Sequence, residues 1–151
     1  MNIINETERK HFYGVIMAGG GGTRLWPWSR KGQTKQMLRI VGDRTMFQIS
    51  VDRIKDLISP EHILVITTEE QAEKLEPQCE EIQRGNYILE PLPRGTASVV
   101  GMAAIQLLAR DKDAVMAVLT ADHYIRNVEY FNELLESAFV EAERPPGHDG
   151  Y

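Results

Sequence analysis

Four consecutive glycines, Gly19 to Gly22, close off the short apolar run Tyr13-Gly14-Val15-Ile16-Met17. The run is rich in strand formers, so the pattern predicts a buried strand that ends in a loop with almost no side chains. Such a run of glycines is costly in backbone entropy. In return, backbone N–H groups approach a ligand that a Cβ would hold off, and consecutive amides in a tight turn form an anion-binding hollow. Arg24, Arg30, Lys31 and Lys35 follow the glycines, Arg9 and Lys10 precede the strand, and no Asp or Glu occurs between residues 9 and 42. Taken singly, the glycines read as a surface turn and the charges as a solvated face. Taken together they favour an anion. A P-loop is excluded because no Gly-Lys-Ser/Thr follows, and a dinucleotide fingerprint is excluded because Arg24 stands where its last glycine belongs.

The rest of the chain alternates between helical and strand patterns. Thr45 and Gln48 form a capping box for a helix carrying Phe47, Val51, Ile54 and Ile58 at helical spacing, which Pro60 ends. His62 to Thr67 is apolar on both faces, as buried parallel strands are. Thr68 and Gln71 open a second helix, with Ala72 and Leu75 inward and Pro77 breaking or kinking it. Asn86 to Glu90 reads as a third strand closed by Pro91 and Pro93. From Thr96 to Ala109 the sequence is apolar almost all round, which predicts a helix buried against the sheet. Ala114 to Thr120 reads as a fourth strand, and Asn127 caps a last helix with Phe131, Leu134, Leu135, Ala138 and Phe139 on one face. This β-α alternation implies an α/β fold: a mostly parallel sheet with helices on both faces. Ligands of such sheets sit outside the C-terminal strand ends, where the Gly19 loop, Glu90-Pro91 and Asp122 all fall.

Composition narrows the function. A chain of 151 residues can bury roughly 70% of its unfolded surface in one domain. Its net charge of −5 argues against a nucleic-acid or membrane-surface binder. No apolar run is long enough to span a bilayer and the polar opening has no secretory region, so the expected compartment is cytoplasmic. Cys79 is the only cysteine, so no internal disulfide is possible, and no His/Cys cluster has zinc spacing.

The stretch Ala18-Gly19-Gly20-Gly21-Gly22-Thr23-Arg24-Leu25-Trp26-Pro27-Trp28-Ser29-Arg30, with Lys35-Gln36 behind it, resembles the signature of sugar-phosphate nucleotidyltransferases. Its Leu-Trp-Pro form points to the mannose-1-phosphate guanylyltransferases. The resemblance implies a three-layer, Rossmann-like fold and transfer of GMP from GTP to mannose 1-phosphate, giving GDP-mannose and pyrophosphate. It also implies that Arg24 contacts the triphosphate, that Lys35 lies against the phosphates, and that the glycine loop, Ala18 to Thr23, lines the nucleotide. Thr120-Ala121-Asp122-His123-Tyr124-Ile125 resembles the family's Pro-Ala-Asp-His-x-Ile, whose aspartate binds the metal, so Asp122 is the expected Mg²⁺ ligand. Read without the family, an Asp in a strand-end loop is more often a helix cap or turn residue, and His123 reads at least as well as a loop histidine with a local hydrogen bond as it does as a sugar or metal contact.

Glu90-Pro91-Leu92-Pro93-Arg94-Gly95-Thr96-Ala97 resembles the family segment beside the base and sugar, and implies nucleotide contacts from Glu90, Arg94, Gly95 and Thr96. The match is degraded: Pro93 stands for Gly, Gly95 for Asn and Ser98 for Pro, and Thr34 replaces the proline before Lys35. Trp26 and Trp28 read as packing residues or as contacts to the sugar or base. The resemblance runs from about residue 12 to residue 142 but covers only the first half of the family's catalytic domain, without its second metal-binding aspartate. The expected organisation is therefore a truncated nucleotidyltransferase domain over residues 1–142 and an irregular tail over 143–151. Weak nucleotide binding, little turnover and an open sheet edge follow for this chain alone. Another sugar-1-phosphate nucleotidyltransferase and a non-catalytic nucleotide-binding module are the alternatives, and a homo-oligomer is compatible with any of them.

Overall fold

The computed structural model describes residues 9–20, 34–39, 42–92 and 95–143. Four strands, β1 (Phe12–Met17), β2 (Ile63–Thr67), β3 (Tyr87–Leu89) and β4 (Val115–Thr120), form one sheet in the order β3-β2-β1-β4. Every pairing is parallel, with Val15 opposite Leu64 and Val118. The helices are α1 (Met46–Ile54), α2 (Glu69–Leu75), α3 (Thr96–Arg110) and α4 (Val128–Glu143).

Strand side chains alternate between two cores. Phe12 and Ile16 of β1, with Ile63 and Val65 of β2, pack with Phe47, Val51 and Ile54 of α1, Ala72 and Leu75 of α2, and Phe139 of α4. Tyr13 and Val15, with Leu64, Ile66 and Ile88, pack instead on Val99, Ala103 and Leu107 of α3. The period-two alternation of the strands thus sends successive side chains to opposite helical layers. The result is the three-layer α/β architecture anticipated from the sequence. None of these helices is long and apolar enough to cross a membrane.

The local signals hold in places and yield in others. The capping box of Thr45 and Gln48 is complete, and the Asn127 side chain accepts the Tyr130 amide at 3.0 Å. Helix α1 ends at Ile54, short of Ile58, and Pro60 opens a 3₁₀ turn, although Ile58 remains buried. At α2 the expected capping box is absent: Thr68 makes no side-chain cap bond. Gln71 lies beneath the glycine loop instead. Helix α3 is not buried all round. Val99, Ala103 and Leu107 face the sheet, whereas Ile105 and Leu108 are 73% and 63% exposed. The reason lies at the sheet edge: β4 has one strand neighbour among the described residues, so no further strand extends the surface under α3. For the same reason β4 is only half-buried. On α4 the packed face carries Phe131, Leu135, Phe139 and Val140, while Leu134 and Ala138 point outward.

Candidate active site

The strand order reverses at β1, with β2 on one side and β4 on the other, and such a switch point opens a crevice at the C-terminal strand ends. A cleft of about 340 Å³ lies there, lined by Gly19, Gly20, Lys35, Gln36, Glu90, Gly95, Thr96 and Asp122, with Met17, Ile66, Val99 and Thr120. Three separate stretches singled out in the sequence therefore meet in one place. Gly21, Gly22, Thr23, Arg24 and Arg94 lie outside the described residues, as do Trp26 and Trp28.

The start of the glycine loop is held from below. The Ala18 amide donates to the Ile66 carbonyl at 2.8 Å, continuing the β1–β2 ladder. Three side chains then take three successive carbonyls: Thr67 Oγ1 donates to Ala18 O at 3.0 Å, Gln36 Nε2 to Gly19 O at 3.1 Å and Gln71 Nε2 to Gly20 O at 3.3 Å. With its carbonyls tied to the protein, the loop has a fixed backbone course before any ligand arrives. A Cβ added at Gly19 would stand 3.1 Å from Glu90 Oε2, so the glycine leaves room for that carboxylate. Thr67 and Gln71 escape a reading of the sequence: a buried threonine looks like a strand former, and the glutamine looks like half of a capping box.

Lys35 begins a 3₁₀ turn, Lys35–Met37, after Thr34 at φ −73°. Proline would fix nearly the same angle, so Thr34 holds the backbone conformation that a proline would impose before Lys35. The Lys35 ammonium donates to Asp122 Oδ2, joining the turn to the loop after β4. Burial pushes the Asp122 carboxyl pKa up, but the Lys35 contact, the nearby Thr120 hydroxyl and the charges of Lys35 and His123 outweigh this and hold it below the usual carboxylate value. The Thr120 hydroxyl acts here through space, since it is buried with no hydrogen-bond partner of good geometry. Behind Asp122, the buried Arg53 of α1 donates to the His123 carbonyl and lies 5.7 Å from the centre of the Phe131 ring. His123 itself is exposed, and its carbonyl is the group that Arg53 holds.

The third wall comes from β3 and α3. The Glu90 amide donates to Thr67 O at 2.8 Å, and the residue is 5% exposed. Gly95 sits at φ +91°, ψ 174°, a backbone region essentially confined to glycine. The departure from the family's asparagine at this position therefore has a conformational correlate. Gly95 gives α3 no side-chain cap, so the first amides of the helix and its positive dipole end meet the cleft uncapped.

A second cluster of titratable groups, His11, Asp111 and Asp113, lies at the opposite, N-terminal edge of the sheet. There His11 Nδ1 is 2.8 Å from Asp111 Oδ2 and the Tyr13 hydroxyl 3.2 Å from it, a set of mutual contacts that ties β1 to the start of β4.

Residues 13–144 match the nucleotidyl transferase family. The chain belongs to that family. It is 38% identical over 143 residues to a mannose-1-phosphate guanylyltransferase of Sinorhizobium fredii, covering 93% of this chain and 28% of the relative. It is 40% identical over 126 residues to the Escherichia coli protein of the same name, covering 82% of this chain and 26% of that one. A crystal structure from Thermus thermophilus, described as a mannose-1-phosphate geranyltransferase, superposes with a TM-score of 0.76 at 33% identity, over 87% of this chain and 38% of that one. The chain thus spans little more than a quarter of the length of these curated relatives.

Proposed function

We propose that this nucleotidyltransferase chain forms the nucleotide-binding part of an enzyme that transfers GMP from GTP to mannose 1-phosphate. The carrying observation is the convergence of Gly19-Gly20, Lys35, Glu90, Gly95-Thr96 and Asp122 on one cleft at the C-terminal edge of a parallel sheet. The names of the relatives supply the sugar and the base, and the cleft supplies the chemistry. In the transfer, a phosphate oxygen of mannose 1-phosphate attacks the α-phosphorus of GTP, an O–P bond forms, and the bond to the β-phosphate oxygen breaks as pyrophosphate leaves. Such a reaction needs little covalent help; it needs the phosphates held in line and their shifting charge neutralised.

Lys35 supplies a cation on a fixed turn, and the uncapped start of α3 supplies oriented amides. Arg24, by its place in the motif, would add a planar fork for two phosphate oxygens. Asp122 fits Mg²⁺: it is a hard oxygen donor held in its charged form, and it already pairs with a cation, the Lys35 ammonium. The remaining coordination would come from phosphate oxygens and water. When bound, the ion would neutralise triphosphate charge; Lys35, freed from Asp122, would turn to the phosphates.

The test is a turnover screen across nucleoside triphosphates and sugar 1-phosphates, with the remaining part of a relative's catalytic domain supplied. GTP with mannose 1-phosphate should give GDP-mannose and pyrophosphate above all other pairs. A stronger signal with glucose 1-phosphate would favour the alternative sugar-1-phosphate nucleotidyltransferase, and nucleotide binding without turnover on any pair would favour a non-catalytic module.

A further inference from the structure

Thr120 carries a hydroxyl that the folded chain has not used. Its Oγ1 atom is fully buried and has no hydrogen-bond partner among the described residues. A donor buried without an acceptor is costly, and such a group in a native fold calls for an explanation. The hydroxyl is also a feature of this chain: threonine stands where the motif it resembles has proline, which carries none.

The sheet holds this group in one place. Thr120 is the last residue of β4 and lies opposite Met17 of β1, and the next amide, that of Ala121, donates to the Met17 carbonyl at 3.2 Å. The period of two puts Thr120 on the face of Met116 and Val118, which α3 covers, and there it lines the cleft with Val99 and Asp122. Asp122, two residues on, is the acceptor nearby. Its Oδ2 takes the Lys35 ammonium, which leaves Oδ1 for another donor. Burial raises the Asp122 carboxyl pKa, and after the Lys35 contact the Thr120 hydroxyl is the next group that lowers it, so the two side chains stand within electrostatic reach. The contact falls short of hydrogen-bond geometry while Lys35 holds the carboxylate. Such bonds are often long in an unliganded site and close only with the ligand in place.

We propose that Thr120 aims Asp122. When Lys35 turns to the phosphates, the Thr120 hydroxyl donates to one carboxylate oxygen in its stead and leaves the other directed at Mg²⁺. This rests on the triphosphate and Mg²⁺ reading above. A carboxylate that meets an ion through one oxygen can still swing about its own torsions, and a donor on the second oxygen removes that freedom. Outer partners of this kind are worth roughly ten- to a hundred-fold in metal affinity. Thr120 touches neither the nucleotide nor the ion in this arrangement, so it is a positioning residue.

The experiment is calorimetric titration of the full chain with GTP, once in EDTA and once at saturating Mg²⁺, on the parent, Thr120→Val and Thr120→Ser. The ratio of the two affinities is the Mg²⁺ enhancement, a coupling that a uniform change in GTP binding does not move. Valine keeps the shape without the hydroxyl; serine keeps the hydroxyl. Thr120→Val should lower the enhancement about tenfold or more and leave GTP affinity in EDTA at the parent's value. Thr120→Ser should restore the enhancement. An unchanged enhancement in Thr120→Val, an affinity that falls equally in EDTA and in Mg²⁺, or a Thr120→Ser that behaves as Thr120→Val does would overturn the role of Thr120 and leave the Mg²⁺ seat standing. A parent that binds no GTP, or binds it no better with Mg²⁺, would overturn both. Thr120→Ala also lacks the hydroxyl, and its ratio decides the question if Thr120→Val does not fold.

Discussion

Thr67→Val tests whether the glycine loop is held in place by the sheet beneath it. Thr67 is fully buried at the end of β2, and its hydroxyl donates to the Ala18 carbonyl at 3.0 Å. Valine keeps nearly the same shape but removes the donor, and the Ala18 carbonyl is left without its side-chain partner. A buried acceptor stranded in this way costs about 1–3 kcal/mol, and the extra buried methyl recovers part of that, so the net loss should be about 1–2 kcal/mol. For a chain of 151 residues this corresponds to a Tm decrease of roughly 3–6 °C. The second consequence concerns function. Gln71 also contacts Thr67 Oγ1, at 3.3 Å, and reaches Gly20 O, so the loop loses order at two adjacent carbonyls. GTP affinity should fall about tenfold, because the ligand must then order the loop itself. Thermal melts followed by circular dichroism and GTP titration of the same samples supply both numbers. A variant that melts lower but binds GTP as the parent does would refute the claim that Thr67 positions the loop.

Other perturbations separate the fold from the site. In Gly14→Ala the new Cβ would stand 2.7 Å from Ile54 Cδ1 and 3.3 Å from Ile58 Cδ1; overpacking there should cost about 1–3 kcal/mol in a denaturant melt, with nucleotide affinity unchanged in the folded fraction. Asn127→Ala removes the cap of α4 and should lower stability by about 1 kcal/mol in the same assay. Burial pushes the Cys79 thiol up to about 12, so at pH 8 the thiolate is only about one part in ten thousand. A disulfide reagent should therefore label Cys79 only after denaturation, and rapid labelling of the native chain would show that the pocket around it is open. Asp122→Asn should abolish the Mg²⁺ dependence of GTP binding, and an unchanged metal requirement would remove Asp122 as a ligand. The Asp122 carboxyl is held below its ordinary value, so the stability it contributes is present above the unfolded carboxylate pKa and is lost as pH falls through the folded one; an acid titration of stability in Asp122→Asn should lack that component.

The parts of this molecule that were legible in the sequence are those set by local rules. Alternation of strand and helix signals gave the parallel three-layer sheet, and the Thr45–Gln48 and Asn127 caps appear where spacing predicts them. Burial was less legible, because it depends on neighbours. Ile105 and Leu108 look like core residues and are exposed, since α3 has sheet on one side only. In the site, the glycine loop, Lys35, Glu90 and Asp122 were visible through motifs, and the structure brings their described residues to one cleft. The supports were not visible. Thr67, Gln71 and Arg53 act from positions that sequence spacing assigns to a strand, a helix start and a helix end. Only the fold brings them under the loops they hold.

The central claim is that this cleft seats a nucleoside triphosphate, and amide chemical-shift mapping with GTP and Mg²⁺ tests it most directly. The amides of Gly19, Gly20, Lys35, Glu90, Thr96 and Asp122 should shift together along one titration curve, while those of His11, Asp111 and Asp113 at the far edge of the sheet stay still. Shifts concentrated at that far edge, or none at saturating GTP, would contradict the account.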